Sequence, residues 1–216
     1  MKYFIEYSKF PVCQQIKENW KNILYLQFLL LYALIASATV GFGFVFKQVF
    51  DITSRIDQMP YYDLLVQGLL FAPVVEELIF RVILRKGKRN FYIFSITCVV
   101  VITLTAYLHR WDSAAIILLI LLVGNVLMLL QRNGVIDVYD SGLYRYLYFG
   151  SILAFGLVHI KNFIFPHPWL WIISPLMVLP QIGLGFILSF IRVKYGIKYS
   201  IVFHFIVNMP VLLSFN

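Results

Sequence analysis

The chain has 216 residues, 61% of them hydrophobic and 13% charged, with a mean hydropathy of +0.84 and a formal net charge of +8. Soluble domains carry about 45–50% apolar and about 25% charged residues, so this composition excludes a water-soluble globular domain and points to an integral membrane protein. The positive charge does not indicate nucleic acid, because Lys and Arg fall between hydrophobic runs rather than within a polar domain interleaved with aromatics.

Residues 1–22 read as a polar cytoplasmic arm, in which Lys9, Lys17 and Lys21 lie among Phe4, Ile5, Phe10 and Trp20. That pattern suits a helix lying on an anionic leaflet, although Pro11 interrupts it. The first apolar segment, 23–46, contains Ala36-Ser-Ala38, which mimics a signal cleavage site. Hydrophobicity continues to Phe46, so an uncleaved first span is expected.

Segment 62–84 places Glu76, Glu77 and Arg81 in an otherwise apolar run. A charge near the bilayer centre costs about 2.5–3.5 kcal/mol, so such residues face a protein interior or a wet cavity and mark function. Glu77 and Arg81 are four residues apart on one helical face and are expected to pair. Glu76, rotated by about 100°, is left outside that pair. A carboxylate in an apolar, partly wet site suits general base and acid work.

Segments 91–108 and 114–130 are short and carry no comparable group; Cys98 lies in the first of them, away from Cys13, and both read as free thiols. Segment 146–165 holds Phe155 and His159 one turn apart. Ser151 is eight residues from His159, too far along a helix to be its nucleophile, and reads as a packing residue. Segment 169–191 contains Pro175, Pro180, Gly183 and Gly185, where a helix can bend or admit a close neighbour. Segment 199–215 places His204 and Asn208 on one face.

These seven segments predict an all-α, polytopic membrane helix bundle of about seven spans. The chain is expected to form a single membrane domain, 1–216, with its chemistry in 64–208. With the N-terminus in the cytoplasm, thirteen Lys and Arg residues (positions 2, 9, 17, 21, 85, 86, 88, 89, 132, 145, 192, 194 and 198) fall inside and four (47, 55, 110 and 161) outside. That bias predicts an N-in, C-out arrangement.

Three motifs, Glu-Glu-x-x-x-Arg at 76–81, Phe-x-x-x-His at 155–159 and His-x-x-x-Asn at 204–208, occur in order on three apolar segments. In this the chain resembles the CAAX protease and bacteriocin-processing (Abi) family of intramembrane endopeptidases, over roughly 64–208. The wide interval between Arg81 and Phe155 departs from the family pattern and reads as an inserted helical hairpin, which keeps the later helices in the same orientation. The resemblance implies hydrolysis of a peptide bond by a water held between Glu76 and His159, with Glu76 as general base. It further implies that His204 and Asn208 donate to the oxyanion, that Glu77 and Arg81 orient the helix, and that Phe155 packs beside the histidine. It implies as partners a peptide or membrane-protein substrate and the lipid bilayer, in a bacterial cell membrane.

No His-Glu-x-x-His zinc helix, Gly-x-Ser-x-Gly elbow or Gly-x-Gly-Asp pair is present. No metal is expected, because Asn208 is a poor zinc ligand; zinc on the two histidines and a glutamate is the alternative. A transporter would also use intramembrane Glu and His, but no inverted repeat occurs. The remaining alternative is a noncatalytic bacteriocin-immunity or scaffold protein of the same fold. One tension stands in the segment boundaries. Counted at about 1.5 Å per residue from the inner ends, Glu76 lies about 12 Å deep, His204 about 7 Å and His159 about 20 Å.

The topology has a direct measurement. On a background lacking Cys13 and Cys98, Lys88→Cys is expected to label from the cytoplasmic face and Phe215→Cys from the outside. Labelling of both from one face would mean an even number of spans.

Overall fold

In the computed structural model, the residues described are Pro11, 31–33, 45, 47–132, 134, 137–139 and 142–213, with side chains up to Met209. The expected arm and nearly all of the first apolar segment lie outside them. The described chain is mostly helical, with one two-residue ladder in which β1 (Thr53–Ser54) pairs antiparallel with β2 (Phe163–Ile164).

The segment bearing Glu76 and Glu77 is not one regular helix. A turn at Tyr61–Asp63 widens into eight π-helical residues, Leu64–Phe71, before α1 (Ala72–Phe80) and a 3-10 turn, Val82–Leu84. Pro73 sits in the first turn of α1, where its missing N–H and its ring would break an α-helical ladder to the residue four before it. The wider i to i+5 turn ahead of it absorbs that conflict, as π-bulges often do near functional sites.

The expected hairpin is formed by α2 (Lys88–Tyr107) and α3 (Trp111–Arg132). They cross where a β-carbon on Gly124 would collide with the Phe94 ring. Next, α4 (Leu143–Val158) extends as a 3-10 turn through Asn162. Three helical stretches among the described residues, Lys88–Tyr107, Trp111–Arg132 and Leu143–Asn162, are long and apolar enough to cross a membrane, and Ile197–Met209 is a shorter apolar helix.

The run 169–191 departs from the continuous span expected of it. It breaks into a 3-10 turn at Pro168–Ile172, a single helical turn at Ser174–Met177 and α5 (Leu179–Lys194). Each of the three starts with a proline in its first turn. Proline fits there and not in a helix interior, so each one restarts the helix. Gly196 then takes φ +117°, a left-handed conformation open to glycine, and reverses the chain into α6 (Ile197–Leu213).

At the centre is α4, which buries Tyr144, Tyr148, Ile152 and Phe155 along one face. Against it α5 presents Leu184, Ile187, Leu188 and Ile191, all buried. The two helices approach closely because Gly156 meets Ile182 and Gly185 meets Ile152 and Phe155. Small residues are how membrane helices gain packing where lipid gives no hydrophobic drive between them. Gly156→Val should therefore lower stability by about 1–3 kcal/mol through overpacking. Gly150→Ala, on the same helix with nothing within 4 Å of its β-carbon position, should leave thermal unfolding in detergent unchanged.

Candidate active site

The site is assembled by α1, α4 and α6, with α4 and α6 each running antiparallel to α1. Along α4, Tyr144 donates its hydroxyl to Leu84 O at 3.1 Å, Ser151 donates to Phe80 O, the Phe155 ring underlies Arg81, and His159 reaches Glu76. Along α6, Ser200 bonds Glu77, His204 lies between Glu76 and Glu77, and the Asn208 amide donates to Gly68 O at 3.1 Å. The three motifs thus meet although their depths, counted from the segment ends, differ. Long tyrosine side chains span the offset at the basic end, and the π-helical stretch brings Gly68 back toward α6.

Glu77 and Arg81 are both fully buried, with Arg81 Nη1 3.0 Å from Glu77 Oε1. That contact lies outside hydrogen-bonding alignment, and the guanidinium N–H groups have no hydrogen-bond acceptor among the described residues. The guanidinium instead stacks 3.7 Å above the centroid of Phe155, a cation–π contact that partly replaces hydration. Glu77 is better served: Ser200 donates to one carboxylate oxygen, and His204 Nδ1 stands 3.2 Å from the other.

Glu76 faces elsewhere. Its side chain is 23% exposed, and its two oxygens lie 3.7 Å from His159 Nε2 and 3.6 Å from His204 Nε2. The His159 ring is fixed from behind, because Nδ1 lies 2.6 Å from Phe155 O, an atom that can only accept. Phe155 also contacts both imidazoles edge to face, at centroid distances of 4.8 Å to His159 and 5.8 Å to His204. One ring therefore touches the cation and both histidines. Among the described residues, no group of three or more His, Cys, Asp or Glu side chains is arranged to hold a metal ion.

Two supporting residues escaped the sequence reading. Ser200 shares the face of His204 and Asn208 at a spacing of four, but a serine in an apolar helix carries no signal by itself. Arg192 counted only as one of the cytoplasmic cations. It is 4% exposed and donates Nε to Arg81 O at 3.0 Å and Nη2 to Val82 O at 2.9 Å, capping the carbonyl end of α1. Lys194, counted likewise, is also buried.

Apolar helices closing around a half-buried Glu–His–His–Asn cluster define a helical membrane protein with a polar site between its helices. The model of the family described as "Type II CAAX prenyl endopeptidase Rce1-like" matches residues 59–210, and the chain belongs to that family. It is thus a membrane protein of a peptidase family. No curated protein matches the chain, and no solved structure does.

The buried pair makes a stability prediction. Arg81→Ala or Glu77→Ala strands a charge in the core and should destabilise the protein by about 3–5 kcal/mol. The double replacement Glu77→Gln with Arg81→Met should recover part of that loss. Thermal unfolding of the purified variants measures both, and a single variant as stable as wild type would remove the pair from the account.

Proposed function

We propose that the chain is a glutamic intramembrane endopeptidase, which cleaves a peptide bond in a membrane-associated peptide or protein by means of a water activated between Glu76 and His159. The observation that carries this reading is the placement of the Glu76 carboxylate between two imidazole nitrogens at 3.7 and 3.6 Å. Both separations exceed a direct hydrogen bond and suit a bridging water. With Nδ1–H donated to Phe155 O, a neutral His159 ring turns the lone pair of Nε2 toward Glu76. Two acceptors face one another, and a water satisfies both by donating one proton to each.

From that position Glu76 takes a proton as the water oxygen attacks the peptide carbonyl carbon. The carbonyl electron pair moves to oxygen, where donors fixed before the reaction stabilise it. Asn208 has two amide protons; one holds the amide plane against Gly68 O, and the other is left for the substrate oxygen. His204, with Nδ1 3.2 Å from Glu77, donates to the oxyanion through Nε2 in the form of the ring that carries both protons. Collapse of the intermediate breaks the C–N bond, and the proton held by Glu76 passes to the leaving amine. Glu77, Arg81 and Ser200 orient these groups. The domain is read as one membrane-spanning unit of about seven helices with its N-terminus in the cytoplasm, as the charge bias supports, in a bacterial cell membrane.

Glu76→Gln keeps the size of the side chain and removes the base. It should fold and insert as wild type does, with proteolysis reduced by about 10²–10⁴-fold. The purified wild type should carry no stoichiometric zinc by elemental analysis. Undiminished turnover by the variant, or activity lost on chelation and restored by zinc, would overturn the glutamate mechanism.

A further inference from the structure

The inserted hairpin bears a cavity that the proposed reaction does not use. About 760 Å³ in volume, it lies at the end where α2 begins and α3 finishes. Its lining combines Lys86, Lys88 and Arg132 with Phe91, Met128 and Leu129, and with the amides of Asn125 and Gln131. Lys86 is engaged, with Nζ 2.9 Å from Asp137 Oδ2. Lys88 and Arg132 are exposed, and among the described residues neither forms an ion pair. The cavity thus brings cationic and apolar side chains together, on helices that each have the length and hydropathy of a membrane span.

We infer that this cavity binds one anionic phospholipid, with its phosphate between Lys88 and Arg132 and an acyl chain along Phe91, Met128 and Leu129. Charge complementarity selects the headgroup, since two exposed cations from different helices line the same cavity. The apolar side chains select a lipid over a free phosphate, which would gain nothing from Met128 or Leu129. Placing two uncompensated cations at one end of a hairpin is unfavourable through mutual repulsion, and an anion relieves it. A lipid held there would join the start of α2, four residues past Leu84, to the end of α3. It would thereby brace the hairpin against the helix that bears Glu76.

The full-length protein in neutral detergent, titrated with phosphatidylglycerol and observed by native mass spectrometry, tests this. Wild type should retain one phosphatidylglycerol, and phosphatidylcholine should not be retained at the same concentration. Lys88→Gln with Arg132→Gln should weaken retention by about 30-fold, the effect of two basic residues near a lipid phosphate. Arg145→Gln with Lys198→Gln, which removes equal charge elsewhere, should not change it. Leu129→Trp, which fills the cavity and keeps the cations, should also reduce retention. Equal retention by wild type and the Lys88/Arg132 variant would overturn the inference. So would displacement of the lipid by millimolar inorganic phosphate, or full retention by Leu129→Trp.

Discussion

A guanidinium and a carboxylate with no exposure to solvent, in a protein whose surroundings are hydrocarbon, can persist only if the helices around them stay in place. Glu77 and Arg81 impose that constraint. Desolvating both charges is expensive, and their mutual attraction offsets it only with further partners. Those partners come from two helices, Ser200 and His204 from α6 and the Phe155 face from α4, while Arg192 of α5 caps the carbonyl end of α1 that carries the pair. Losing α4 or α6 would leave a buried charge unattended. The pair is therefore weak as a source of net stability, while stranding either of its charges is costly.

That arrangement also separates two adjacent glutamates chemically. The roughly 100° between successive residues turns Glu77 into the core and Glu76 toward the half-buried space between the histidines. Phe155 connects the two environments, stacking on Arg81 while touching both imidazoles. An aliphatic residue there would fill volume but would lack a negative ring face for the cation and an edge for the imidazoles.

Irregular backbone does the remaining positioning. The π-helical stretch before Pro73 turns the Gly68 carbonyl to Asn208, and the 3-10 turn after Phe80 exposes carbonyls that Arg192, Tyr139 and Tyr144 take up. Non-helical backbone at membrane depth is tolerated where it is buried in protein, and the residues from Arg81 to Leu84 are all buried. The successive prolines of 168–180 likewise break a long apolar run into short pieces, which lie beside the β1–β2 ladder instead of forming a single span.

Much of this was legible in the sequence, because it depends on local spacing and on the cost of charge in hydrocarbon. Apolar composition dictated a membrane protein. The fourfold spacing of Glu77 and Arg81 dictated a pair, and the polar residues on 155–159 and 204–208 indicated which other helices carry the site. The paired helices α2 and α3 followed from two apolar runs separated by a short polar link. Tertiary structure decided the rest. Depth counted along idealised helices set Glu76, His159 and His204 at different levels, since it has no term for π-helical turns, for helices that cross, or for tyrosines that reach back to a neighbour's carbonyl. Ser200 and Arg192 acquired their roles only from what lies across the interface, and a buried cap and a cytoplasmic loop cation have the same one-letter code. Hydrophobicity reports how much of a chain must leave water; it does not report which long-range partners each polar group will find once it has.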